Sequence, residues 1–175
     1  MNILKDLLYK VAIEAIKGPT DIIIHAIDFD SRKTVENNVF VAIRGTVSDG
    51  HDYIEKAINL GAIAIICDAF PKNIVNGITY IQVKDTNKAL AFMAANYYGN
   101  PSQKLKLVGI TGTNGKTTCA TLLFKLFRLL GYSCGLLSTV QNQINDTVLP
   151  STHTTPDSIR LQQLLAEMLQ AGCTH

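Results

Sequence analysis

The sequence predicts an α/β protein with two domains, of which the second is present only in part. Short apolar runs typical of buried strands alternate with segments of helical periodicity along the chain. The segment Gly99-Asn100-Pro101-Ser102 is the clearest break in this pattern, and a glycine-rich loop follows it between a strand and a helix. We therefore predict a small N-terminal α/β domain over residues 1–102 and the first part of a second α/β domain over residues 103–175.

The first domain is predicted to begin with a packing helix, because apolar residues recur at helical spacing over residues 3–11. Asp52, with Glu55 three residues later, resembles a capping box that would open a second helix ending at Gly61. A third helix is predicted over residues 85–98. Strands are predicted where apolar runs are bounded by turn residues, over 22–27, 39–43, 62–67 and 79–83.

The second domain is predicted to start with a β-loop-α-β unit. Thr155 as N-cap and Pro156 at the first helical position predict a later helix that ends before Gly172. Because a domain of this type normally contains further strands, we expect the chain to stop within the domain. The predicted segments are a strand over 105–110, a helix over 116–130, a strand over 134–139 and a short excursion or hairpin over 141–146.

Composition excludes several classes of partner. The 16 basic and 14 acidic residues nearly cancel and form no block of like charge, so neither nucleic acid nor a membrane is expected as a partner. No apolar run reaches the length of a membrane span, and the N-terminus lacks the pattern of a signal peptide. We expect a monomeric, cytoplasmic protein that binds small molecules. The widely spaced cysteines are expected to be buried thiols: Cys67, Cys119, Cys134 and Cys173.

The glycine-rich loop has the composition of a phosphate-binding loop. Glycines let backbone N–H groups approach phosphate oxygens, and the N-terminus of the following helix adds the positive end of a dipole. Lys116 can contact the β- and γ-phosphates of ATP as the catalytic cation, and the Thr117 hydroxyl can bind Mg²⁺. A tight turn that merely carries Gly-Lys-Thr is the alternative. The predicted ATP-binding residues are Gly112, Thr113, Asn114, Gly115, Lys116, Thr117 and Thr118.

This loop departs from the general phosphate-loop pattern in a way that indicates a family. Ile110 stands where the general pattern has its first glycine, whereas this chain has Gly109 and Gly112. The form Gly-Ile-Thr-Gly-Thr-Asn-Gly-Lys-Thr-Thr resembles the Mur ligase superfamily, and folylpolyglutamate synthases and cyanophycin synthetase are similar. The resemblance implies that ATP phosphorylates a substrate carboxylate and that an amine then displaces phosphate from the acyl phosphate.

A second region resembles one branch of that family. Asp30-Ser31-Arg32, with the segments 38–45 and 49–54 that follow, is similar to the N-terminal UDP-binding domain of the MurE branch and, more loosely, of MurF. The resemblance implies that Ser31 and the backbone of Phe29 contact the UDP moiety. Alone, such a triplet is more often a solvated turn. Residues 46–48 depart from the His-Gln-Ala of some relatives, so their side-chain contacts are not carried over.

Thr152-His153-Thr154-Thr155-Pro156 resembles the Thr-Thr-Pro segment of the same family. The resemblance implies that Thr154 and Thr155 contact the UDP-N-acetylmuramoyl dipeptide. Hydroxyl groups at the N-terminus of a helix also suit an anion on physical grounds. The alternative interpretation is that Thr155 serves only as an N-cap, and His153 is expected to be an ordinary loop residue.

Together these resemblances imply an ATP-dependent ligase of peptidoglycan precursor synthesis. It would add a third amino acid, meso-diaminopimelate or L-lysine, to UDP-N-acetylmuramoyl-L-alanyl-D-glutamate through an acyl phosphate. A chain of this extent is expected to be inactive alone. The alternatives are a MurF-type ligase that adds D-alanyl-D-alanine and a binding module for UDP-sugar or nucleotide without catalysis.

Overall fold

The computed structural model describes residues 2–46, 48–149 and 156–175. The chain divides into two compact units, Met1–Tyr97 and Tyr98–His175. Each unit contains strands and helices, and the predicted α/β class is confirmed. In the described parts of the chain, the search for a helix with the length and apolar character of a membrane span finds none.

The first unit is built on a mainly parallel sheet. Its strands are β1 (Asn2–Ile3), β2 (Ile13–Lys17), β3 (Ile23–Ile24), β4 (Ile27–Asp28), β5 (Asn38–Val41), β6 (Ala62–Cys67) and β7 (Thr79–Val83). Its helices are α1 (Leu4–Leu7), α2 (Ile54–Asn59) and α3 (Thr86–Tyr97), with 3₁₀ turns at Ser31–Lys33 and Gly50–Tyr53. The larger sheet has the order β2-β7-β6-β5-β4. Strands β4 to β7 run parallel, so their carboxyl ends share one edge of the sheet.

The core of the first unit forms because its central strands are apolar on both faces. Phe40 of β5 and Tyr80 of β7 are 1% and 0% exposed, and β6 is buried along nearly its whole length. A parallel sheet covered on both faces requires such continuous apolar runs. Ile54 and Ala57 of α2 pack into the same cluster. The predicted strands at β6 and β7 are therefore confirmed at the predicted bounds.

The N-terminal segment differs from the prediction. The helix expected over residues 3–11 is a single turn, α1, because Lys10 adopts a left-handed φ of 65° that ends helical geometry. Residues 13–17 form β2 instead, which pairs antiparallel with β7. The strand predicted over residues 22–27 is divided into β3 and β4, and between them His25 donates its backbone N–H to the carbonyl of Asn37 at 2.9 Å.

The predicted capping box at Asp52 is wrong. Asp49 caps this region instead, since its carboxylate accepts the backbone N–H of His51 at 2.9 Å and opens the 3₁₀ turn Gly50–Tyr53. Helix α2 then begins at Ile54 without a side-chain cap. Because Asp49 is the N-cap, the helical segment begins at Gly50, which is earlier in the chain than the predicted cap at Asp52.

The second unit contains two long helices and a small antiparallel sheet. Its elements are a 3₁₀ turn at Pro101–Gln103, helices α4 (Lys116–Leu129) and α5 (Ser158–Gln170), and strands β8 (Gly135–Leu137), β9 (Asn142–Ile144) and β10 (Thr147–Leu149). The sheet has the order β10-β9-β8. Asn145, with φ of 50°, lies in the turn between β9 and β10, so the predicted hairpin is confirmed.

The strand predicted over residues 105–110 does not form a ladder in the described part of the chain. Lys106 donates its backbone N–H to the carbonyl of Thr174 at 2.9 Å, but Leu107 and Val108 remain 55% and 64% exposed. A strand needs a neighbouring backbone along its length, and apolar sequence alone does not supply one. The predicted β-loop-α-β unit is therefore wrong at its first strand.

Helix α5 begins later than predicted. Asp157 is its N-cap, because the Asp157 carboxylate accepts the backbone N–H of Arg160 at 2.8 Å. Pro156 lies before this cap, and the proposed cap Thr155 lies outside the described residues. An aspartate at the N-cap competes well with threonine for this position. Cys67, Cys134 and Cys173 are buried as expected, whereas Cys119 is exposed on α4, against the prediction.

Candidate functional site

The predicted phosphate loop lies directly before α4. Gly115 is the residue that precedes the helix, with φ of 79°, and Gly112 has φ of 148°. Side chains rarely adopt these backbone conformations, so glycine is required at both positions. The first intrahelical bond runs from Cys119 N–H to the carbonyl of Gly115 at 2.8 Å. The N–H groups of the first turn lack intrahelical acceptors, as at any helix start, and can receive an anion.

The face of this loop has room for a ligand. A Cβ atom built on Gly109 or Gly115 would meet no atom within 4 Å. The Lys116 ammonium bends back towards the loop and donates to the carbonyls of Gly112 and Thr113. The lysine is thereby held beside the N–H groups of the first turn. This arrangement suits the binding of a phosphate, which needs backbone donors and a cation at one place.

Thr117 is joined to a residue that the sequence analysis did not select. Its hydroxyl oxygen lies 3.3 Å from the hydroxyl oxygen of Thr139, which follows β8. Hydroxyl oxygens are ligands of the kind that Mg²⁺ accepts, and Mg²⁺ in nucleotide sites takes few protein ligands beside phosphates. Thr117 therefore fits the predicted metal role. The only sequence signal for Thr139 was its place beside Ser138 at the end of the strand predicted over 134–139.

Several of these polar groups line one cavity of about 360 Å³ in the second unit. Lys116, Thr117 and Thr139 line it together with apolar side chains that include Phe124 and Leu136. Phe124 and Leu136 belong to a buried cluster between α4 and β8. Lys116 and Thr117 of the predicted loop thus lie beside a pocket of the size that small-molecule sites have.

In the first unit, the predicted nucleotide contacts lie at the carboxyl end of β4. Asp28 accepts the backbone N–H groups of Phe29 and Asp30 at 3.0 and 3.1 Å, which shapes the turn. Ser31, 6% exposed, begins the 3₁₀ turn that Asp30 caps by accepting the N–H of Arg32. Ligands of open parallel sheets bind outside the carboxyl ends of the strands, so this turn is at a suitable place.

Burial and hydrogen bonds shift the pKa values of two carboxyl groups in this turn. Burial raises the pKa of the Asp28 carboxyl, against the opposing effect of its backbone hydrogen bonds. Hydrogen bonds from the Arg32 side chain lower the pKa of Asp30 to about 2. The guanidinium contacts both carboxylate oxygens of Asp30, at 2.8 to 3.2 Å. The Asp-Ser-Arg triplet is therefore a charge-paired turn in which the buried Ser31 lies between the two charged residues.

A charged network that the sequence analysis missed lies at the same edge. Asp68 follows β6 directly, and it pairs with the Arg44 guanidinium at 2.6 and 3.0 Å. His51 lies between two carboxylates, with Nδ1 at 2.6 Å from Asp49 and Nε2 at 3.0 Å from Asp68. Sequence patterns could not reveal it, because Arg44 and Asp68 are far apart in the chain.

The predicted site residues are divided between the two units and a segment outside the described residues. Thr154 and Thr155 lie outside the described residues. Phe29 and Ser31 belong to the first unit, whereas residues 112–118 belong to the second. In the described parts of the chain, no group of three or more histidine, cysteine or acidic residues has the arrangement of a metal site.

Comparison with known families covers most of the chain. Residues 23–98 match the family described as "Mur ligase family, catalytic domain", and residues 110–175 match "Mur ligase middle domain". The chain belongs to the Mur ligase family. The resemblance deduced from the phosphate loop and the Asp-Ser-Arg triplet is thus confirmed.

Individual Mur ligases are similar over nearly the whole chain. A UDP-N-acetylmuramoyl-L-alanyl-D-glutamate--2,6-diaminopimelate ligase of Cytophaga hutchinsonii is 54% identical over 173 residues, which are 98% of this chain and 36% of the relative. The ligase of the same name from Bacteroides fragilis is 49% identical over 98% of the chain. The chain therefore spans about 36% of the length of these relatives.

Solved structures of the family share the fold. A structure of a UDP-N-acetylmuramoyl-L-alanyl-D-glutamate--2,6-diaminopimelate ligase has a TM-score of 0.76 at 23% identity, over 99% of this chain and 34% of its own. A MurF ligase from Thermotoga maritima in complex with ADP has a TM-score of 0.53 at 28% identity. This match covers 80% of the chain and 28% of the MurF ligase.

Proposed function

We propose that the chain supplies the nucleotide-sugar-binding and ATP-binding parts of a ligase that adds 2,6-diaminopimelate to UDP-N-acetylmuramoyl-L-alanyl-D-glutamate. Residues 1–102 would hold the UDP-sugar, and residues from 103 onward would hold ATP. The observation that carries the proposal is the phosphate loop of residues 112–118 at the start of α4. The choice of amino acid is supported by the function named for the relatives that are 54% and 49% identical.

The phosphate loop would bind and orient the phosphates of ATP. The N–H groups of the first turn of α4 donate to phosphate oxygens, and the Lys116 ammonium exchanges its bonds with Gly112 and Thr113 for bonds to the γ-phosphate. Thr117 would hold Mg²⁺ through its hydroxyl. A bound Mg²⁺ ion would offset phosphate charge during transfer. These groups keep the phosphate in line with the substrate carboxylate.

The reaction would proceed in two steps that balance. The substrate carboxylate attacks the γ-phosphorus, forming an acyl phosphate as the bond to ADP breaks. The amine of the incoming amino acid then attacks the acyl carbon, inorganic phosphate leaves, and the amine gives up a proton. Lys116 is placed to stabilise negative charge on the transferring phosphate, which is the role of fixed charges in such transition states.

The first unit would recognise the nucleotide end of the substrate. Ser31 and the Phe29 backbone lie in the charge-paired turn that follows β4, at the carboxyl edge where ligands of open parallel sheets bind. Thr154 and Thr155 remain proposed contacts to the muramoyl dipeptide on the family resemblance alone. A MurF-type activity has weaker support, because the similar Thermotoga maritima MurF shares only 28% identity with the chain.

Calorimetric titration of ATP into the purified chain, with and without Mg²⁺, tests the ATP part of this proposal. The chain should bind ATP more tightly with Mg²⁺ present, and Thr117→Val should remove that gain because it lacks the hydroxyl. Thr117→Ser should retain it. Thr121→Val, one turn further along α4, is the matched control and should behave as the unmodified chain does. Failure of the unmodified chain to bind ATP would contradict the proposal.

A further inference from the structure

The loop over residues 43–50 is held by an unusual concentration of charge. Its backbone closes on itself, because Gly50 donates its N–H to the Ile43 carbonyl at 2.8 Å and Gly45 donates to the Ser48 carbonyl at 2.9 Å. Val47 lies outside the described residues. The loop follows β5, whose carboxyl end shares one edge of the sheet with those of β4 and β6. It therefore borders the edge that also carries Ser31.

His51 connects this loop to the neighbouring strand. The ring is mostly enclosed, with 16% of the side chain exposed, and each ring nitrogen faces a carboxylate. Nδ1 meets Asp49, the last residue before the 3₁₀ turn, and Nε2 meets Asp68 at the end of β6. Arg44 completes the network, since its guanidinium contacts Asp68 at 2.6 Å and Asp49 at 3.4 Å.

Each carboxylate of this network is stabilised in its charged form. The backbone N–H and ring of His51 lower the pKa of Asp49, and the Arg44 guanidinium lowers the pKa of Asp68. The network thus contains two carboxylates, Asp49 and Asp68, and two groups that can carry a positive charge, Arg44 and His51. Because Asp49 and Asp68 belong to different segments, His51 fixes the distance between the loop and the end of β6.

We propose that His51 is a positioning residue that holds the 43–50 loop against the carboxyl edge of the sheet and thereby sets the affinity for the uridine nucleotide. This inference rests on the proposed function, because the nucleotide is the ligand assigned to that edge. His51 itself does not contact the ligand in this account. It acts through the described residues of the loop, 43–46 and 48–50, which must keep one backbone conformation for the ligand to fit.

The two protonation states of His51 use its ring differently. A protonated ring donates from both nitrogens, to Asp49 and Asp68, whereas a neutral ring can donate from one nitrogen only. The backbone N–H of Asp68 lies 3.4 Å from Nε2, so a neutral ring can still accept a weaker bond there. In either state the ring can bond to both Asp49 and Asp68, so it ties the loop to the end of β6.

Binding of UDP-N-acetylglucosamine to the whole chain at one fixed pH is the first part of the test. In His51→Phe, which loses both ring contacts, the dissociation constant should rise by about threefold to thirtyfold, the usual extent of coupling through a supporting residue. His51→Asn can still bond to Asp49 and should lose less. His25→Asn, at an exposed histidine near the opposite edge, is the control and should lose nothing.

Two further readouts separate positioning from general damage. Amide hydrogen exchange at Gly45 and Gly50 should quicken in His51→Phe, while exchange at Ala94 of α3 and affinity for ATP stay unchanged. Equal affinities in His51→Phe and the unmodified chain would overturn the inference alone. Absence of binding by the unmodified chain would overturn the proposed nucleotide site and this inference with it.

Discussion

The ammonium of Lys116 lies 3.2 Å from the carbonyl oxygen of Thr113 in its own phosphate loop. A phosphate at the start of α4 would compete for this ammonium and draw it away from the loop. In the proposed mechanism, Lys116 would then be a charged donor close to the position where charge develops during transfer. Preorganised donors of this kind contribute more to the transition state than to the ground state.

The first prediction concerns Lys116→Ala in a complete enzyme. A chimera in which residues 1–175 replace the matching part of the Cytophaga hutchinsonii ligase provides one. The substitution should reduce kcat/KM by an amount equivalent to at least about 3 kcal/mol, as for loss of a preorganised charge-stabilising donor. Steady-state phosphate release measures it, with Lys125→Ala, an exposed lysine on the same helix, as the control. Near-normal turnover in Lys116→Ala would remove the loop from the mechanism.

The second prediction separates the two ends of the UDP-muramoyl substrate. Ser31→Ala should weaken binding of UDP alone by about 1 kcal/mol or somewhat more, which is the scale of one lost hydrogen bond. Thr155→Ala should leave UDP affinity nearly unchanged and weaken binding of the full dipeptide substrate. Calorimetric titration of both ligands into both variants of the chimera provides the comparison. Equal losses for the two ligands in Thr155→Ala would show that this segment is assigned to the wrong end.

The third prediction concerns packing in the second unit. A Cβ atom on Gly135 would overlap the Met168 sulfur and lie 2.6 Å from its Cε atom, and Met168 is only 3% exposed. Gly135→Ala should therefore lower the free energy of unfolding by about 1 to 3 kcal/mol, the usual cost of overpacking. Gly109→Ala, which meets no atom within 4 Å, is the control. Urea denaturation, followed by circular dichroism, measures the free energy of unfolding. Equal values for the two variants would contradict the packing of Gly135 against Met168.

The fourth prediction concerns the titration of Asp30. Its pKa is lowered to about 2 in the folded chain, below its ordinary value of 3.8, chiefly by hydrogen bonds from Arg32. Because the folded pKa is the lower one, the charged pair contributes stability above about pH 4, and this contribution is lost as the pH falls towards 2. Carboxyl ¹³C NMR should show the midpoint rising in Arg32→Gln and staying in place in Arg44→Gln. A midpoint near 3.8 in the unmodified chain would contradict the pairing.

The elements that were predicted correctly are those that the local sequence determines without help from distant contacts. Strand β6 is a continuous apolar run, β7 is rich in aromatic and β-branched residues, and the phosphate loop and α4 are marked by glycines and Gly-Lys-Thr. The pairing of β2 with β7 could not be predicted, because Ile13 and Ile16 are exposed and their partners are more than sixty residues away. Residues 105–110 show the reverse case, since an apolar run without a neighbouring backbone forms no ladder in the described chain.

The candidate site was predictable only where one segment carries it. Ser31 and Lys116 stand within motifs that can be recognised from a few consecutive residues. Thr139 and His51 could not be found in this way, because their roles depend on Thr117 and on Asp68, which are distant in sequence. The choice between Asp49 and Asp52 as a cap was likewise decided by the turn conformation at Gly50 rather than by residue type.

Substrate-dependent phosphate release by the chimera directly tests the proposed addition of 2,6-diaminopimelate to UDP-N-acetylmuramoyl-L-alanyl-D-glutamate. With ATP and Mg²⁺, we predict phosphate release only when UDP-N-acetylmuramoyl-L-alanyl-D-glutamate and 2,6-diaminopimelate are both present, in equal amount to the tripeptide product. Chimera assays with L-lysine, and with UDP-muramoyl tripeptide plus D-alanyl-D-alanine, should release little phosphate. Release that requires the tripeptide and D-alanyl-D-alanine, or no release from a folded chimera with any pair, would contradict the account.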